Sequence, residues 1–489
     1  MPPPGVRIGP VRRSQSCGKT QFGFTVGGPI VHNKTFFFGD YQGTRIAQTS
    51  LHNPTVPTAA ERASGFTNLQ DLIFNQSGTR TDALGRIFPN GAVLDPATTR
   101  PITAGQIDPV TGLTAQGSGY VRDPFFQGNI AGVTNFATAA NEHLMNILPT
   151  NRLNPNALKL LNAYPAPNTA GFSGGLSNNY AILRPQPNNT NQFDIRADQN
   201  FSEKDQMFAR VGYAARNQNA APDFTGDIDN SQFGQGNFKD RAVNAALSET
   251  HLFSPTMINE VRLGYSLLTD NIVTSVANQT GIPEQFGIQG APQGPGLGGL
   301  PNINIPGLTS IGPGNFAAPN TRTSDTRQIT ENLTKIRGPH TFKGGFEGQW
   351  LRYSYDNPRA ALGSFNFDST YTGIPGGAGA GAGMATLLLT PIPATVATGV
   401  NYDGGPGFLI ADSNVAPDNV RHYYGLYFQD DWKVTPKLAL NAGLRWEHFS
   451  LPMNRYGAEA NFESFPSFVC ASYVINTRSK DVALSPAFT

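Results

Sequence analysis

Tyr423–Phe449 reads YYGLYFQDDWKVTPKLALNAGLRWEHF, and its pattern decides the fold class of this chain. Two runs of alternating residues flank a turn at Val434–Lys437. One side of the two runs is apolar and consists of Tyr424, Leu426, Phe428, Trp432, Val434, Leu438, Leu440, Ala442, Leu444 and Trp446. The other side is polar or small and consists of Gly425, Gln429, Asp431, Lys433, Asn441, Gly443, Arg445 and Glu447. Alternation with a period of two predicts strands, so the stretch is predicted to be an amphipathic β-hairpin.

The dimensions of this hairpin fit a membrane. Each predicted strand has about ten residues, which is the length that crosses a bilayer when a strand is tilted by roughly 45°. Trp432 lies beside the turn and Trp446 at the far end, where aromatic residues suit the two membrane interfaces. An amphipathic hairpin of a soluble β-sandwich would show the same alternation. The hairpin alone therefore leaves both interpretations open.

The composition favours a surface that is apolar on one side and wet on the other. Charged residues make up only 14% of the chain, whereas Gly (54) and Phe (32) are abundant. Soluble domains are typically about a quarter charged. The net charge is +1, and no stripe of Lys and Arg offers an electrostatic site for nucleic acid. The two cysteines, Cys17 and Cys470, lie near opposite ends, which argues against a disulfide framework or a cysteine metal site.

A membrane-spanning helix is not predicted, because no window of about 18 apolar residues exists. The longest apolar patch is Met384–Leu389. A chain that crosses a membrane without such helices must do so as a closed barrel. Residues 1–19 are predicted to be irregular, and no apolar segment of the kind found in signal peptides follows Arg12 and Arg13.

Four more segments repeat the plan of the hairpin at Tyr423–Phe449. These predicted hairpins cover residues 21–45, 191–216, 241–268 and 326–350, with turns of about four to six residues. The connections between hairpins are long and rich in Gly, Pro, Asn and Thr, at residues 46–189, 217–239, 270–325 and 357–420. Short turns that alternate with long loops are typical of outer-membrane barrels, whose turns face the periplasm and whose loops face outward.

The predicted fold is therefore all-β, a partial antiparallel transmembrane β-barrel of about ten strands in five hairpins. Residues 20–450 are assigned to the N-terminal part of the barrel, with the long loop at 46–189, and residues 451–489 to an irregular tail that is expected to be truncated. One helix is predicted within the long loop. It has Asn154 as N-cap and Pro155 at its first position, and it ends before Pro165.

The low-complexity run at 376–383, GGAGAGAG, is interpreted as a flexible spacer.

Charged residues fall mainly on the polar side of the predicted strands. They are Asp194, Arg196, Asp198, Arg210, Glu260, Arg262, Lys343, Glu347, Arg445 and Glu447. In a barrel they would point into a wet or plugged lumen, where opposite charges on neighbouring strands can pair. A solvated face of an open sheet would carry the same charges.

Aromatic residues near the ends of strands are assigned to the membrane interfaces: Phe36, Phe37, Tyr424, Trp432 and Trp446. Three carboxylates, Glu249, Glu331 and Asp430, fall on the apolar side. Glu249 and Asp430 lie close to turns, where the cost of a charge is small. Glu331 has no such explanation.

Several segments resemble the TonB-dependent outer-membrane receptors of the Oar-like group, known chiefly from acidobacteria and related soil bacteria. The segments are FTVGGPI at Phe24–Ile30, KTFFFGDYQGTR at Lys34–Arg45, NPNALKLLNAYP at Asn154–Pro165, NQFDIR at Asn191–Arg196, and Tyr423–Glu447. They are spread over most of the chain, and their specificity lies in the set rather than in any one of them.

The resemblance implies a longer parent protein with a signal peptide, a carboxypeptidase-regulatory-like domain, a plug with the TonB-contacting segment, and a barrel of about 22 strands. In that family the GGPI and FFFGDYQGTR-like pair opens the barrel. The chain is accordingly expected to be a fragment of a gene or a truncated reading frame that supplies the first ten or so strands and lacks the plug.

Motifs for catalysis or metal binding are absent from the sequence. Glu142 and His143, like Glu447 and His448, are adjacent rather than spaced for a metal, and Gly294, Gly296 and Gly299 match GxGxxG without a flanking strand and helix. No catalytic residue, cofactor-binding residue, metal ligand or cofactor is assigned, and the chain is predicted not to be an enzyme.

The predicted function is that of an outer-membrane TonB-dependent receptor barrel for active uptake of an unidentified substrate. The expected partners are outer-membrane lipid, the TonB energy complex through the plug of the parent, and a small-molecule or oligosaccharide substrate. A passive porin or a surface-structural, ligand-binding barrel is the main alternative. A soluble secreted carbohydrate-binding β protein is a third possibility, and it predicts a chain that stays in solution without detergent.

Overall fold

Ten long antiparallel strands lie side by side, in chain order, in one sheet of the computed structural model, which describes residues 17–232, 234–314, 319–357, 360–377, 381–390, 407–409 and 417–457. The strands are β1 (Cys17–Val31), β2 (Thr35–His52), β3 (Asn188–Asn200), β4 (Asp205–Ala220), β5 (Gly236–Ser254), β6 (Met257–Val273), β7 (Asn320–Arg337), β8 (His340–Asp356), β9 (Asp418–Thr435) and β10 (Leu438–Phe449). The predicted all-β antiparallel architecture with five hairpins is confirmed.

Four of the five hairpin turns are tighter than the sequence suggested, whereas the second has the predicted length, with residues 201–205 between the paired Asn200 and Gln206. In the first hairpin Val31 pairs with Thr35, and Asn33 takes the left-handed conformation (φ 60°) that a short turn between strands requires. In the fifth hairpin Thr435 pairs with Leu438 across a local irregularity in the register. Backbone pairing thus continues almost to the end of each hairpin.

The strands are also longer than the predicted ten residues, ranging from 12 in β10 to 19 in β5. The extra length lies mostly at the end that leads into the long loops. There β3 starts at Asn188 and β4 runs to Ala220, through Asn, Gln and Arg side chains that are polar on both faces. The alternation of polar and apolar residues stops at this point, whereas backbone hydrogen bonding continues. The side-chain pattern therefore underestimates the length of the strands.

Two boundaries of the predicted segments differ in the structure, because strand pairing again continues beyond the alternating pattern. Strand β1 begins at Cys17, inside the segment predicted to be irregular, and β2 extends through His52 into the predicted loop. A short strand, Met453–Asn454, pairs with β9 in the predicted tail, and Ile182–Pro185 pairs with β2. Cys17 is unpaired and exposed, and Cys470 lies outside the described residues.

The sheet has two edges in the described part of the chain, β1 and β10, and these two strands do not pair with each other. Every residue of β10 is exposed, and so is nearly all of β1. None of the helices in the described residues is long and apolar enough to cross a membrane.

The long loops pack together into one body, here called the cap, made of the described parts of residues 53–187, 221–235, 274–319 and 357–417. Its main hydrophobic core draws buried side chains from all four loops, for example Leu161, Phe224, Ile303 and Leu388. The sequence predicted one helix in otherwise irregular loops. The apolar residues of the loops are too widely spaced to show a period, so their common core emerges only in three dimensions.

Short elements build the cap. Its helices are α1 (Ala59–Ala63), α2 (Asp71–Phe74), α3 (Ala139–Glu142), α4 (Pro155–Ala163), α5 (Ile282–Gln285) and α6 (Gly383–Leu389). Single turns of 3-10 helix lie at Pro96–Thr98, Thr150–Arg152, Ser173–Gly175 and Gly226–Ile228. Short strand pairs join Thr79–Thr81 with Ile87–Pro89 and Arg100–Ile102 with Gly119–Val121, and a small sheet joins Asn302–Asn304, Ser364–Asn366 and Gly407–Leu409.

Helix α4 is the predicted loop helix, and its start is as expected. The Asn154 side chain caps it by accepting from the backbone N–H groups of Asn156 and Ala157, and Pro155 takes the first position. Part of the Gly/Ala run at 376–383 lies outside the described residues. Its last residue, Gly383, begins the buried helix α6, so at least this end is packed rather than a spacer.

Candidate functional site

One face of the sheet, the polar face, carries all six charges that the sequence assigned to a lumen: Arg196, Arg210, Glu260, Arg262, Arg445 and Glu447. Residues directly opposite each other in an antiparallel pair point to the same side. The register can therefore be followed across the sheet, for example from Arg262 through Thr330 and Glu347 to Gly425 and Glu447.

Most of the charged side chains on the polar face form ion pairs. Arg196 binds Asp198 at 2.7 Å and Arg262 binds Glu260 at 2.6 Å, each two residues apart on one strand. Arg210 in β4 binds Asp194 in β3 at 2.7 Å, across the hairpin. Because these groups are partly exposed, each pair contributes little stability, on the order of 1 kcal/mol or less. They leave the face hydrophilic but nearly neutral.

A larger network lies near the β10 edge. The Arg445 guanidinium donates to Glu447 at 2.5 Å and to the hydroxyl oxygen of Tyr423 at 2.6 Å, and it approaches Glu347 at 3.5 Å. Gln349 also donates to Glu347, at 2.7 Å. The network ties three strands, β8, β9 and β10, together on the polar face.

A cleft of about 510 Å³ opens on the polar face in the middle of the sheet. The residues on its floor are small, since Gly212, Ala246, Gly264 and Ser266 leave the backbone uncovered, while Arg210 and Asp194 form one wall. An added Cβ at Gly212 would meet the Asp194 carboxylate at 2.6 Å. The face thus offers a concave surface of exposed backbone and paired charge.

The opposite face, the apolar face, carries large exposed hydrophobic side chains, among them Phe24, Val211, Leu263, Leu426 and Leu444. Exposure of this extent on a sheet of this size is unusual for a protein in water and is expected where lipid covers the surface. Glu331 lies on this face, opposite Val261 and Phe346, and has no ion-pair partner among the described residues. The structure offers no explanation for its position.

The five aromatic residues that the sequence assigned to membrane interfaces are Phe36, Phe37, Tyr424, Trp432 and Trp446. Consecutive strand residues point to opposite faces, so of the first two only Phe37 lies on the apolar face, while Phe36 lies opposite Asp198 on the polar face. Trp432 lies at the turn end of the sheet, where its ring stacks on His340 with centroids 5.2 Å apart. Tyr424 and Trp446 lie on the apolar face nearer the cap.

A second cleft, of about 950 Å³, lies in the cap between the first and fourth loops. Tyr120, Tyr371, Leu153 and Leu389 give it apolar surface, and Arg122 and Arg152 lie at its wall. The Arg152 guanidinium donates to both oxygens of Asp95, at 2.8 and 2.9 Å. Arg122 donates to Thr99 at 2.8 Å and to the carbonyl of Thr370 at 2.7 Å.

Asp95 neutralises Arg152, whereas Arg122 donates only to neutral oxygens and keeps its positive charge, although its side chain is almost fully buried. The cap cleft therefore presents mainly aromatic surface and neutral hydrogen-bonding groups. Asn151, Asn154, Thr99 and Thr390 add amides and hydroxyls to the lining. Rings beside polar groups suit an uncharged ligand rich in hydroxyl or amide groups. The sequence missed this cleft because its residues come from segments that are distant along the chain.

Buried charges hold the loop that forms one wall of the cap cleft. The Arg100 guanidinium donates to both oxygens of Asp108 at 2.7 Å and reaches Asp123 at 2.6 Å. The bonds from Arg100 hold the pKa of the Asp108 carboxyl well below its usual range, and the same bonds raise the pKa of Arg100. The bonds between Arg100 and Asp108 thus favour the ionised forms of both groups, and they tie the start of this loop to its middle.

A pair of carboxyl groups near α1 behaves differently. Burial, and to a lesser extent the nearby Asp71 carboxylate, raises the pKa of Glu61 to about 7. Burial also raises the pKa of Asp71. Thr58 lies between them, because its backbone N–H donates to Glu61 at 2.6 Å and its hydroxyl donates to Asp71 at 2.6 Å. Thr58 and Glu61 form a capping box at the start of α1, and the raised pKa of Glu61 keeps it partly protonated near neutral pH.

Comparison of the sequence with models of known protein families gives a match. A sequence model described as "Outer membrane beta barrel domain" matches residues 11–481. No curated protein matches the chain.

Similar solved structures include the outer membrane transporter YddB from Escherichia coli (8% identity, TM-score 0.35, covering 91% of this chain and 35% of that protein). They also include a mutant of the ferric enterobactin receptor PfeA from Pseudomonas aeruginosa (10%, 0.33, 90% and 37%) and the open form of the ferric-catecholate import receptor Fiu from Escherichia coli K12 (11%, 0.28, 90% and 53%). The chain spans between about a third and about half of the length of these proteins.

Proposed function

Because the chain belongs to the outer membrane beta barrel domain family, we propose that it is the N-terminal part of the barrel of a TonB-dependent receptor of the Oar-like group. The outer membrane is its location. In this proposal the short turns face the periplasm, the cap faces the outside, the apolar face contacts lipid and the polar face lines the lumen. The barrel segment predicted at residues 20–450 is extended in this proposal to begin at Cys17, where β1 starts, and to include the short strand Met453–Asn454 that pairs with β9.

The cap is the observation that carries the proposal of a receptor. A passive porin needs an open path, whereas here four loops share one hydrophobic core above the strands. A folded cap with a cleft of about 950 Å³ is suited to capture a ligand before transport. The cap cleft offers tyrosines and neutral hydrogen-bonding groups, which suits a polyhydroxylated substrate such as an oligosaccharide.

The lumen assignment rests on the polar face. Its paired charges, Arg196, Arg210, Glu260, Arg262, Arg445 and Glu447 with their partners, give a hydrophilic surface that is nearly neutral. The cleft of small residues beside Arg210 gives room for a plug to pack against the wall. The plug, and with it contact with the TonB energy complex, would belong to a longer parent protein, as in the acidobacterial receptors that the chain resembles. No enzymatic activity is proposed.

The interface assignment rests on the apolar face. We place Trp432 and Phe37 at the periplasmic interface, and Tyr424 and Trp446 toward the outer one. Phe36 is not included, because it shares the polar face with Asp198.

The test examines the DNA that flanks the gene and the transport activity of the parent gene product. Sequencing of the flanking DNA should find a plug domain encoded upstream, and cells that express the parent should take up a labelled oligosaccharide only when TonB is present. Uptake that persists in cells lacking TonB, together with rapid swelling of liposomes that contain the protein in sugar solution, would instead establish a passive porin. An upstream region without a plug would count against the receptor as well.

A further inference from the structure

Three metal-ligating side chains meet on the apolar face at the turn end of the sheet. Asp205 is the first residue of β4 and lies directly opposite His251 in β5. Glu249 precedes His251 by two residues, so it points to the same face of the same strand. One ligand atom from each of the three side chains lies within 4.8 Å of the others.

The geometry around His251 favours a fixed site. Its Nδ1 atom is paired with an Asp205 oxygen, and its ring packs edge-on against Phe253 with centroids 4.3 Å apart. A metal ion with bonds of about 2.1 Å holds its ligand atoms about 3.4 Å apart. Small rotations of the three side chains would therefore close the set around one ion. Each side chain is partly exposed, which leaves room for water to complete the coordination.

The charge of the cluster also calls for a cation. Glu249 lies between Met207 and Val261 on the apolar face and has no ion-pair partner among the described residues. A single protonated imidazole cannot neutralise two carboxylates. A divalent ion would neutralise both and leave the imidazole neutral, which is the state that binds a metal.

We propose that Asp205, Glu249 and His251 bind one divalent transition-metal ion, with zinc as the best-suited member. One imidazole nitrogen and two carboxylate oxygens match the ligands that Zn²⁺ accepts, whereas Mg²⁺ and Ca²⁺ prefer oxygen alone. The ion would link the second hairpin to the third at the turn end of the sheet. The site stands on these side chains alone and does not depend on the proposed transport function.

A second pair of His and Asp side chains in the same sheet serves as a control for the proposed metal site. The side chains of His340 in β8 and Asp430 in β9 also meet on the apolar face at the turn end, at 2.7 Å, with Trp432 stacked on the imidazole. Here the two residues are diagonal neighbours, because His340 lies opposite Trp432 and Asp430 lies opposite Phe342. Among the described residues no third ligand joins this pair, whereas Glu249 joins the other. The pair of His340 and Asp430 therefore shows how much a His–Asp pair contributes to metal affinity without a second carboxylate.

The experiment measures Zn²⁺ binding by isothermal titration calorimetry, with the full chain folded in detergent micelles and produced without a polyhistidine tag. Co²⁺ absorption in the visible range gives a second measurement. The expected result is one Zn²⁺ per chain, with affinity at least tenfold weaker in His251→Ala and in Glu249→Gln and unchanged in His340→Ala. Glu249→Gln keeps the shape of the side chain, and circular dichroism checks that each variant retains its strands.

Folding-dependence supplies a further check, because Asp205 and Glu249 are brought together only by the pairing of β4 with β5. Binding should disappear in denaturant. The proposal is overturned if the folded chain binds no Zn²⁺ up to millimolar concentration, if Glu249→Gln binds as tightly as the wild type, or if His340→Ala lowers the affinity as much as His251→Ala does.

Discussion

The Arg86 guanidinium, which has no exposed surface, donates from Nη1 to Oδ1 of Asp123 at 2.7 Å inside the cap. It also binds Asp82 at 2.8 Å and donates to the carbonyl of Arg122 at 2.6 Å. Arg86 therefore neutralises Asp82 and shares Asp123 with Arg100, and both carboxylates are almost fully buried. The cap depends on it more than on any apolar side chain of similar size, because removal leaves buried charge behind.

Replacement of Arg86 by Met should destabilise the cap by about 3 to 5 kcal/mol, since Asp82 would lose its partner and Asp123 would keep only Arg100, while both stay in the interior. Hydrogen–deuterium exchange of peptides from residues 79–125 should become fast, while peptides from β4 to β6 stay protected. Arg80→Met, in the same short hairpin but exposed, is the control and should change exchange little. Equal effects of the two substitutions would show that the ion pairs do not hold the cap.

The stability of the cap should fall as the pH rises from about 4.5 to about 7. The pKa of Glu61 is near 4.5 in the unfolded chain and about 7 in the folded one, so the folded state holds the proton more tightly. Its contribution is fully present below pH 4.5 and is lost as the pH rises through 7. The difference corresponds to roughly 3 kcal/mol.

Glu61→Gln should remove the part of this dependence that comes from Glu61 and leave only that of Asp71, because the amide can still accept from the Thr58 N–H and cannot ionise. Exchange rates of α1 peptides in this variant should then vary little between pH 5 and 8 after correction for intrinsic exchange. Glu142→Gln in α3 serves as the matched control. A variant at position 61 with the same pH dependence as the wild type would refute the assignment.

Ala245 and Ala246 are neighbours in β5 and point to opposite faces at the same depth. Ala245 lies opposite Tyr265 on the apolar face, and Ala246 lies opposite Gly264 on the polar face. Ala245→Arg should destabilise folding into phospholipid vesicles by about 2 to 4 kcal/mol, and Ala246→Arg by no more than about 1 kcal/mol. Urea titrations in vesicles measure both. Equal costs, or a larger cost at position 246, would mean that the apolar face does not contact lipid.

The Asn154 side chain caps α4 and also donates to the carbonyl of Thr390 at 3.1 Å, so it connects the first loop to the fourth. Asn154→Ala should cost about 1 to 2 kcal/mol of cap stability. Asn162→Ala, on the exposed side of the same helix, should cost under about 0.5 kcal/mol. Limited proteolysis at the α4 to α6 contact distinguishes the two, and similar digestion of both variants would contradict the role of the cap residue.

The strands were predictable from the sequence because alternate residues of a membrane barrel strand face lipid and water, so apolar and polar side chains alternate. Leu426, Phe428 and Trp446 show the period directly, and the pairing of β9 with β10 follows it. The same alternation placed Arg262 and Arg445 on one face. It could not separate the adjacent Phe36 and Phe37, since a run of aromatic residues carries no period of two.

The cap and the His251 cluster could not be predicted in the same way. Leu161, Ile303 and Leu388 carry no common period, and they become neighbours only when three loops are folded. The spacing Glu249-x-His251 is a local signal, since residues two apart share a strand face, but the third ligand, Asp205, comes from another hairpin. Its position requires the register between β4 and β5.

The shared core of the cap also fixes an order of events during folding. Each hairpin brings together segments that are close along the chain, so its loop-closure entropy is small, whereas the cap must gather segments from four separate connections. The strands can therefore zip together one hairpin at a time, but the cap core cannot close until residues near Leu388 have been made and carried to the first loop. Until then Leu161, Phe224 and Ile303 stay exposed to water, and exposed apolar surface of this kind makes a partly folded chain prone to aggregation.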